Sequence, residues 1–493
     1  MNEEHRHFHP FFRKRRSGVL LHPTSMPNAD GAMGEDAYRF IRFLAEAGFT
    51  IWQMLPVNSI GSRYASPYQG TSVHAGNPWL ICIDKLCHES WFQGSSQEQM
   101  RSLPLGKLIS LARTHFDSYA AVTEQQSYLE FKEKYAWWLG DYALFSTIKD
   151  HHDREPWWCW PDDLRRREKK TLNSFKKSNS SRIEDYIFEQ FIFFRQWNEL
   201  KRYANERGVL LFGDLPILIA HDSVDVWINS DYFQLDHEGQ PLAVAGVPPD
   251  YFSATGQRWG NPLYNWHNIA ADKYQWWVAR LRTQLSLFDI VRLDHFRGFV
   301  SLWEIPVSCN TAMEGHWEPV PGRELLSVLK QEFGYLPIIA EDLGTISQDV
   351  LDLRDEFGLP GMKVLLFAFD SDGNNPYLPH NHDLKSVVYT GTHDNNTTLG
   401  WFYGLDETTQ QRVLEYLQYP QEAMPWPLII TALRSVCPTA ILPMQDILGL
   451  DGSHRMNTPG TTEGNWHWRF DWEWIVPDLT KKLKRLNEIY ARI

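Results

Sequence analysis

The sequence predicts an α/β protein, a closed (β/α)8 TIM barrel carrying inserted, mainly helical subdomains. Three observations point to it. Eight short apolar runs recur along the chain, several followed by a segment of helical periodicity, and such alternation implies parallel strands covered by helices. Six of the eight runs finish in a group capable of chemistry or polar recognition, as expected where barrel strands open onto one catalytic mouth. The alternative, a doubly wound open sheet, requires a glycine-rich phosphate turn, and neither GxGxxG nor GxxxxGK[ST] occurs.

Taken in order, Ser17–Ser25 reads as a short strand ending in a turn. The helix after it, EDAYRFIRFLAEAG, sets Tyr38, Ile41, Leu44 and Ala45 on one face, with Gly48 as its stop. Phe49–Val57 is the second strand. From about residue 58 to 205 the pattern is mostly helical, which marks an inserted subdomain. Within it, Trp157, Trp158 and Trp160 suit core packing, and the basic stretch Arg165–Lys177 reads as a solvated loop or helix end. The remaining strands are Gly208–Ile217, Phe288–Phe296, Leu336–Gly344, Met362–Asp370, Ser386–Asp394 and Ala440–Leu448. Between the fifth and sixth, Ser347 caps a helix whose Val350, Leu353 and Phe357 share a face, and Gly358 and Pro360 end it. Residues 1–10 read as a disordered tail in which His5, His7 and His9 offer a weak metal site at most.

Composition narrows the partners. Apolar residues make up 43% of the 493, ample for one large core, and 22 Trp exceed what packing needs. Some indoles are therefore expected at a surface, where flat rings with a polar edge suit sugar faces or a partner protein. A net charge of −13 disfavours nucleic acid and anionic lipid. Five scattered cysteines without a CxxC fit a reducing cytoplasm better than a disulfide framework or a zinc cage. No run approaches a membrane span, and the N-terminal residues lack the apolar core of a signal peptide.

The strand-end groups are His22, Asp214, Asp294, Glu341, Asp394 and Asp446. Asp214 and Asp446 also suit turn capping. Asp294, Glu341 and Asp394 sit among dense polar neighbours, in VRLDHFR, AEDLG and THDNN. Three carboxylates at a barrel mouth suit glycosidic bond chemistry, in which one attacks the anomeric carbon and a second protonates the leaving oxygen. Arg292 lies two residues before Asp294, hence on the same strand face, and favours its charged form.

RLDHFRGF, AEDLG and GTHDN together resemble the amylomaltases or disproportionating enzymes, the 4-α-glucanotransferases of glycoside hydrolase family 77. SPYQ, GDLPI, AGVPPDYFSATGQRWGNPLYNW, LWEIP, EGHW, GLPGMKVL, FAFD, MNTPG and GNW extend the likeness, from about Arg15 to Trp468. The resemblance implies a barrel without a separate C-terminal β-domain. It implies Asp294 as nucleophile, Glu341 as general acid/base and Asp394 as transition-state stabiliser. Arg292 would keep the nucleophile charged. Asp214, His295 and His393 would bind sugar hydroxyls, and Tyr68 would stack on the donor ring. Gln257 and Trp259 would belong to a loop, residues 245–262, that covers bound glucan. Asp370 and Asn465 are further binding candidates. The implied substrates are α-1,4-glucans, with glucose or another maltodextrin as acceptor and no metal or organic cofactor; oligomeric state stays open. Ala254 and Asn396 stand where the family often has acidic residues, which bears on loop contacts and acceptor choice. An α-amylase-like hydrolase and a non-catalytic glucan-binding protein are the rival readings.

Overall fold

The computed structural model describes residues 9–27, 33–92, 97–249 and 253–493. Most of the expected tail, and residues 250–252 of the expected covering loop, lie outside them. His9 is described: it caps the short 3-10 helix Pro10–Arg13, its Nδ1 accepting from the Phe11 N–H at 3.3 Å.

Eight strands form one parallel sheet. They are β1 (Arg16–Leu20), β2 (Ile51–Gln53), β3 (Leu210–Pro216), β4 (Ile290–Asp294), β5 (Ile338–Ala340), β6 (Gly361–Val364), β7 (Ser386–Tyr389) and β8 (Thr439–Pro443). Each neighbours the next in chain order, and β8 returns to β1 with Thr439 opposite Arg16. Between β5 and β6 the Ala340 N–H donates to the Pro360 carbonyl at 2.8 Å, which closes the ring. The expected (β/α)8 barrel is therefore present, with every predicted strand in place.

The strands are shorter than the segments expected from the sequence. β5 stops at Ala340 and β7 at Tyr389, so Glu341 and Asp394 lie on the loops beyond. Only Asp214 and Asp294 belong to strands. The helix after β1 spans Glu35–Glu46, and its buried face is Ala37, Phe40, Ile41 and Leu44. Tyr38 is half-buried and Ala45 exposed, so the apolar stripe lies about one position off the expected one. Gly48 (φ 79°) and Gly358 (φ 65°) adopt the left-handed geometry that ends their helices. Ser347 stands at the N-cap of Gln348–Glu356 without a side-chain capping bond.

Between β2 and β3 the chain is helical, ending in the 27-residue helix Ser180–Glu206. There the basic stretch falls mostly within helix Lys169–Ser178. Trp157 and Trp160 are buried, and Trp158 stacks on His221 with ring centroids 3.8 Å apart. A second, antiparallel sheet rises from the excursions after β3 and β4, in the order Gln257–Pro262, Ala243–Val247, Ser301–Pro306, His316–Pro319. The sequence reading had a loop over part of this region. Beneath the barrel, the buried guanidinium of Arg492 donates to the carbonyls of Arg16, Ala432, Leu433, Ser435, Cys437 and Pro438. No helix among the described residues is long and apolar enough to cross a membrane.

Candidate active site

β3 and β4 set the base of the site. Their register places Asp214 beside Arg292 and Pro216 beside Asp294, and residues two apart share a face. Arg292 and Asp294 therefore point the same way, one step apart along the barrel axis. The Arg292 guanidinium divides its bonds. Nη1 donates to both Asp214 oxygens at 2.7 and 2.9 Å, whereas Nη2 lies 2.8 Å from Asp294 Oδ1 and 4.0 Å from Glu341 Oε2. One cation thus gathers three carboxylates, two from strands β3 and β4 and one, Glu341, from the loop directly after β5.

Burial lowers the proton affinity of Arg292, but Asp214, Asp294, Tyr68 and Glu341 together outweigh it and hold the group well above its ordinary range. Burial pushes the Asp214 carboxyl up while Arg292 pulls it down. Burial outweighs that pull, so the Asp214 carboxyl lies above its ordinary range, while the guanidinium keeps its proton.

Glu341 follows β5 directly. Its Oε2 accepts from the His295 N–H at 2.7 Å and its Oε1 from the Leu343 N–H at 3.0 Å. The first bond depends on a left-handed turn at His295 (φ 52°, ψ 55°), a conformation that costs a non-glycine residue about 1–3 kcal/mol. Burial is the largest influence on Glu341 and, with Asp294 adding to it, raises its pKa to about 8 against the pull of Arg292. Glu341 therefore carries a proton at neutral pH. Burial also lowers His295 to about 4, which leaves its ring neutral with one donor and one acceptor nitrogen. That ring meets Trp259 edge-on, centroids 4.9 Å apart.

Asp394 arrives from the loop after β7. Its Oδ2 is 3.3 Å from His393 Nε2, and its Oδ1 accepts from Asn457 Nδ2 at 2.6 Å. Arg455 Nη2 donates to its backbone carbonyl at 2.9 Å. Tyr68 links this side to the base, its hydroxyl donating to Asp214 Oδ2 at 2.7 Å and lying 2.9 Å from His393 Nε2. Since the hydroxyl hydrogen is committed to Asp214, Nε2 of His393 must be the donor toward Tyr68. An unbroken line of polar contacts thus runs from Glu341 through Arg292, Asp214, Tyr68 and His393 to Asp394.

The structure brings together Asp294, Glu341, Asp394, Arg292, Asp214, Tyr68, His393 and His295, with Trp259 beside them. Asp214 is buried one step below Asp294, its oxygens engaged by Arg292 and Tyr68. Gln257 accepts from Trp259 Nε1 at 3.3 Å. Asp370 and Asn465 bond within their own loops, to Asn375 and to Thr458 and Thr461. Sequence reasoning missed Asn457, Arg455 and Trp466. The Trp466 ring stands 6.0 Å from Tyr68 and 6.2 Å from His393, on a backbone with φ 68°. The segments MNTPG and GNW flag two of these positions.

Comparison with known proteins gives a consistent picture. Residues 21–474 match the family model described as 4-alpha-glucanotransferase, glycoside hydrolase family 77. The chain is 45% identical to the 4-alpha-glucanotransferase of Synechocystis, covering 97% of this chain and 98% of that protein. It is 43% identical to that of Thermus thermophilus, covering 97% and 99%. An amylomaltase from Streptococcus agalactiae in complex with acarbose superposes with a TM-score of 0.91 at 37% identity, over 97% of this chain and all of that one.

Proposed function

The chain belongs to the 4-α-glucanotransferases of glycoside hydrolase family 77, and from that premise we propose how its residues transfer an α-1,4-glucan segment. A glucan lies across the mouth. Asp294 attacks C1 of the sugar at the cleavage point while Glu341 gives its proton to the departing 4-oxygen. The C1–O4 bond breaks, a C1–carboxylate bond forms, and the released piece leaves. Glu341, now ionised, takes the proton from the 4-hydroxyl of the incoming sugar, whose oxygen displaces Asp294. Two inversions retain the configuration.

One observation carries this reading: Asp294 and Glu341 both lie within 4.0 Å of one guanidinium nitrogen, a spacing compatible with the roughly 5–5.5 Å of retaining pairs. Asp394, fixed by Asn457 and facing His393, favours positive charge on the ring. His295 and His393 offer hydrogen bonds to hydroxyls. Asp214 acts through Arg292 and Tyr68, fixing the base of the site. Tyr68, Trp466 and Trp259 supply aromatic walls that bind sugar and exclude water, which favours transfer over hydrolysis. Glucose and short maltodextrins are the acceptors. All five cysteines are free, as suits a cytoplasmic protein.

Incubation with maltotriose tests this directly. Products longer than the substrate, accompanied by glucose, are expected from the wild type. Asp294→Asn should lower the rate by at least about 10³-fold, the scale seen when a nucleophile is removed. Near-normal disproportionation by that variant would refute the assignment of Asp294.

A further inference from the structure

Away from the mouth, a second set of chemistry-bearing side chains converges on the outer sheet. Ser301–Pro306 pairs antiparallel with His316–Pro319, with Glu304 opposite His316 and Leu302 opposite Glu318. Opposed residues, and residues two apart, share a face. Glu304, His316 and Glu318 therefore crowd together, one donor atom of each within 4.8 Å of the others. His316 Nε2 is 3.8 Å from Glu318 Oε2. Among the described residues no Lys or Arg pairs with either carboxylate. Two like charges on neighbouring ladder positions repel, and the base beside them is His316 itself, which offsets them only when protonated.

We propose that Glu304, His316 and Glu318 form a binding site for a divalent first-row transition metal, Zn²⁺ foremost. An imidazole with two carboxylates is a mixed nitrogen and oxygen set, which suits Zn²⁺ and its neighbours better than Mg²⁺ or Ca²⁺, whose ligands are oxygens. Binding at about 2.0–2.2 Å per ligand asks the side chains to close on the ion. His316 and Glu318 have room for this, with side chains 60% and 48% exposed. Water completes the coordination. The ion would cross-link the edge strand His316–Pro319 to its neighbour, in the same sheet whose opposite edge carries Trp259 toward His295. Its role is to brace that sheet, separate from the chemistry at the mouth.

The test is calorimetric titration of the metal-stripped full-length protein with ZnCl₂, with His5, His7 and His9 replaced by alanine to remove the competing N-terminal set. Saturable one-to-one binding is expected, with a rise in Tm on adding metal. His316→Ala and Glu304→Gln should each weaken binding by at least about tenfold, the loss already seen when a ligand's support is disturbed. Both variants should keep transferase activity without metal, which shows them folded. Co²⁺ should give visible absorption that His316→Ala abolishes. No saturable binding, or equal affinity in parent and variants, overturns the proposal.

Discussion

Glu341 shows how one side chain's surroundings set the working pH. Its pKa of about 8 arises first from burial and then from Asp294, whereas a free glutamate titrates near 4.3. The donor must be protonated when the glycosidic bond breaks, so kcat/KM for maltotriose should hold through neutrality and fall about tenfold per unit above pH 8. The same shift bears on stability. Below about pH 4.3 both folded and unfolded chains hold this proton; between there and 8 only the folded chain does. The stabilisation from this group is therefore lost as pH rises through the folded value. A flat rate profile to pH 9.5 would assign the proton to another residue. At this scale the sequence was most legible where chemistry and strand ends coincide, at Asp294, Glu341 and Asp394. It gave no role to Asn457, which MNTPG only flags, and was silent on Arg455, a cation on a late loop with no periodic pattern to place it. It also could not show that Asp214 lies beneath the site.

At the scale of elements, a buried carboxylate staples the loop that carries His393 and Asp394. Asp446, in the short helix Met444–Ile447 after β8, accepts from Thr390 Oγ1 at 2.5 Å and from the Thr398 N–H and Oγ1 at 2.7 Å each. Thr390 follows β7 and Thr398 opens the helix Thr398–Gly404. His393 and Asp394 lie on the loop between them. Asp446→Ala leaves these donors unpaired in the interior and should cost about 3 kcal/mol. It should lower the transfer rate as well, because the loop holding Asp394 loosens. Asp446→Asn keeps an acceptor for the Thr398 N–H and should be milder in both urea unfolding and rate. Equal, negligible effects from both would show the loop to be held elsewhere. The eight barrel strands were legible because most of their residues are apolar and buried on both faces. Their ends were not, since the chain leaves the sheet at Ala340 and Tyr389 and the polar residues that follow, Glu341 and Thr390 to Asp394, lie on loops that the sequence reading had counted as strand ends. The outer sheet stayed hidden because AVAGV, QRWGNP, SLWEIP and HWEP are short, and all four carry Pro or Gly, which reads as loop.

At the scale of the whole molecule, the helical region between β2 and β3 must be locked to the barrel, because the same segment delivers Tyr68 to the mouth. The lock is built on the helix Ser180–Glu206. Gln190 bonds both backbone groups of Gly76, accepting at 2.7 Å and donating at 3.0 Å, and Gln196 does the same for Cys82 at 2.8 and 3.1 Å. Six residues apart on the helix, they grip points six apart on the segment that carries the 3-10 turn Pro78–Leu80. Between them the Phe193 ring lies against Gly76, where an added Cβ would fall 1.9 Å from its edge. Only glycine permits that approach. Gly76→Ala should therefore push the helix away at a cost of at least about 1–3 kcal/mol, seen as a lower Tm. It should also raise KM for maltodextrin, since Tyr68 shares the displaced segment and its hydroxyl bridges Asp214 and His393. Phe193→Leu in the same chain removes the clashing ring edge and should restore part of both losses, a coupling expected only of residues in direct contact. If Gly76→Ala lowers Tm without touching KM, the helical region and the mouth are held independently. If the second substitution rescues nothing, the close packing at Gly76 is not what joins them.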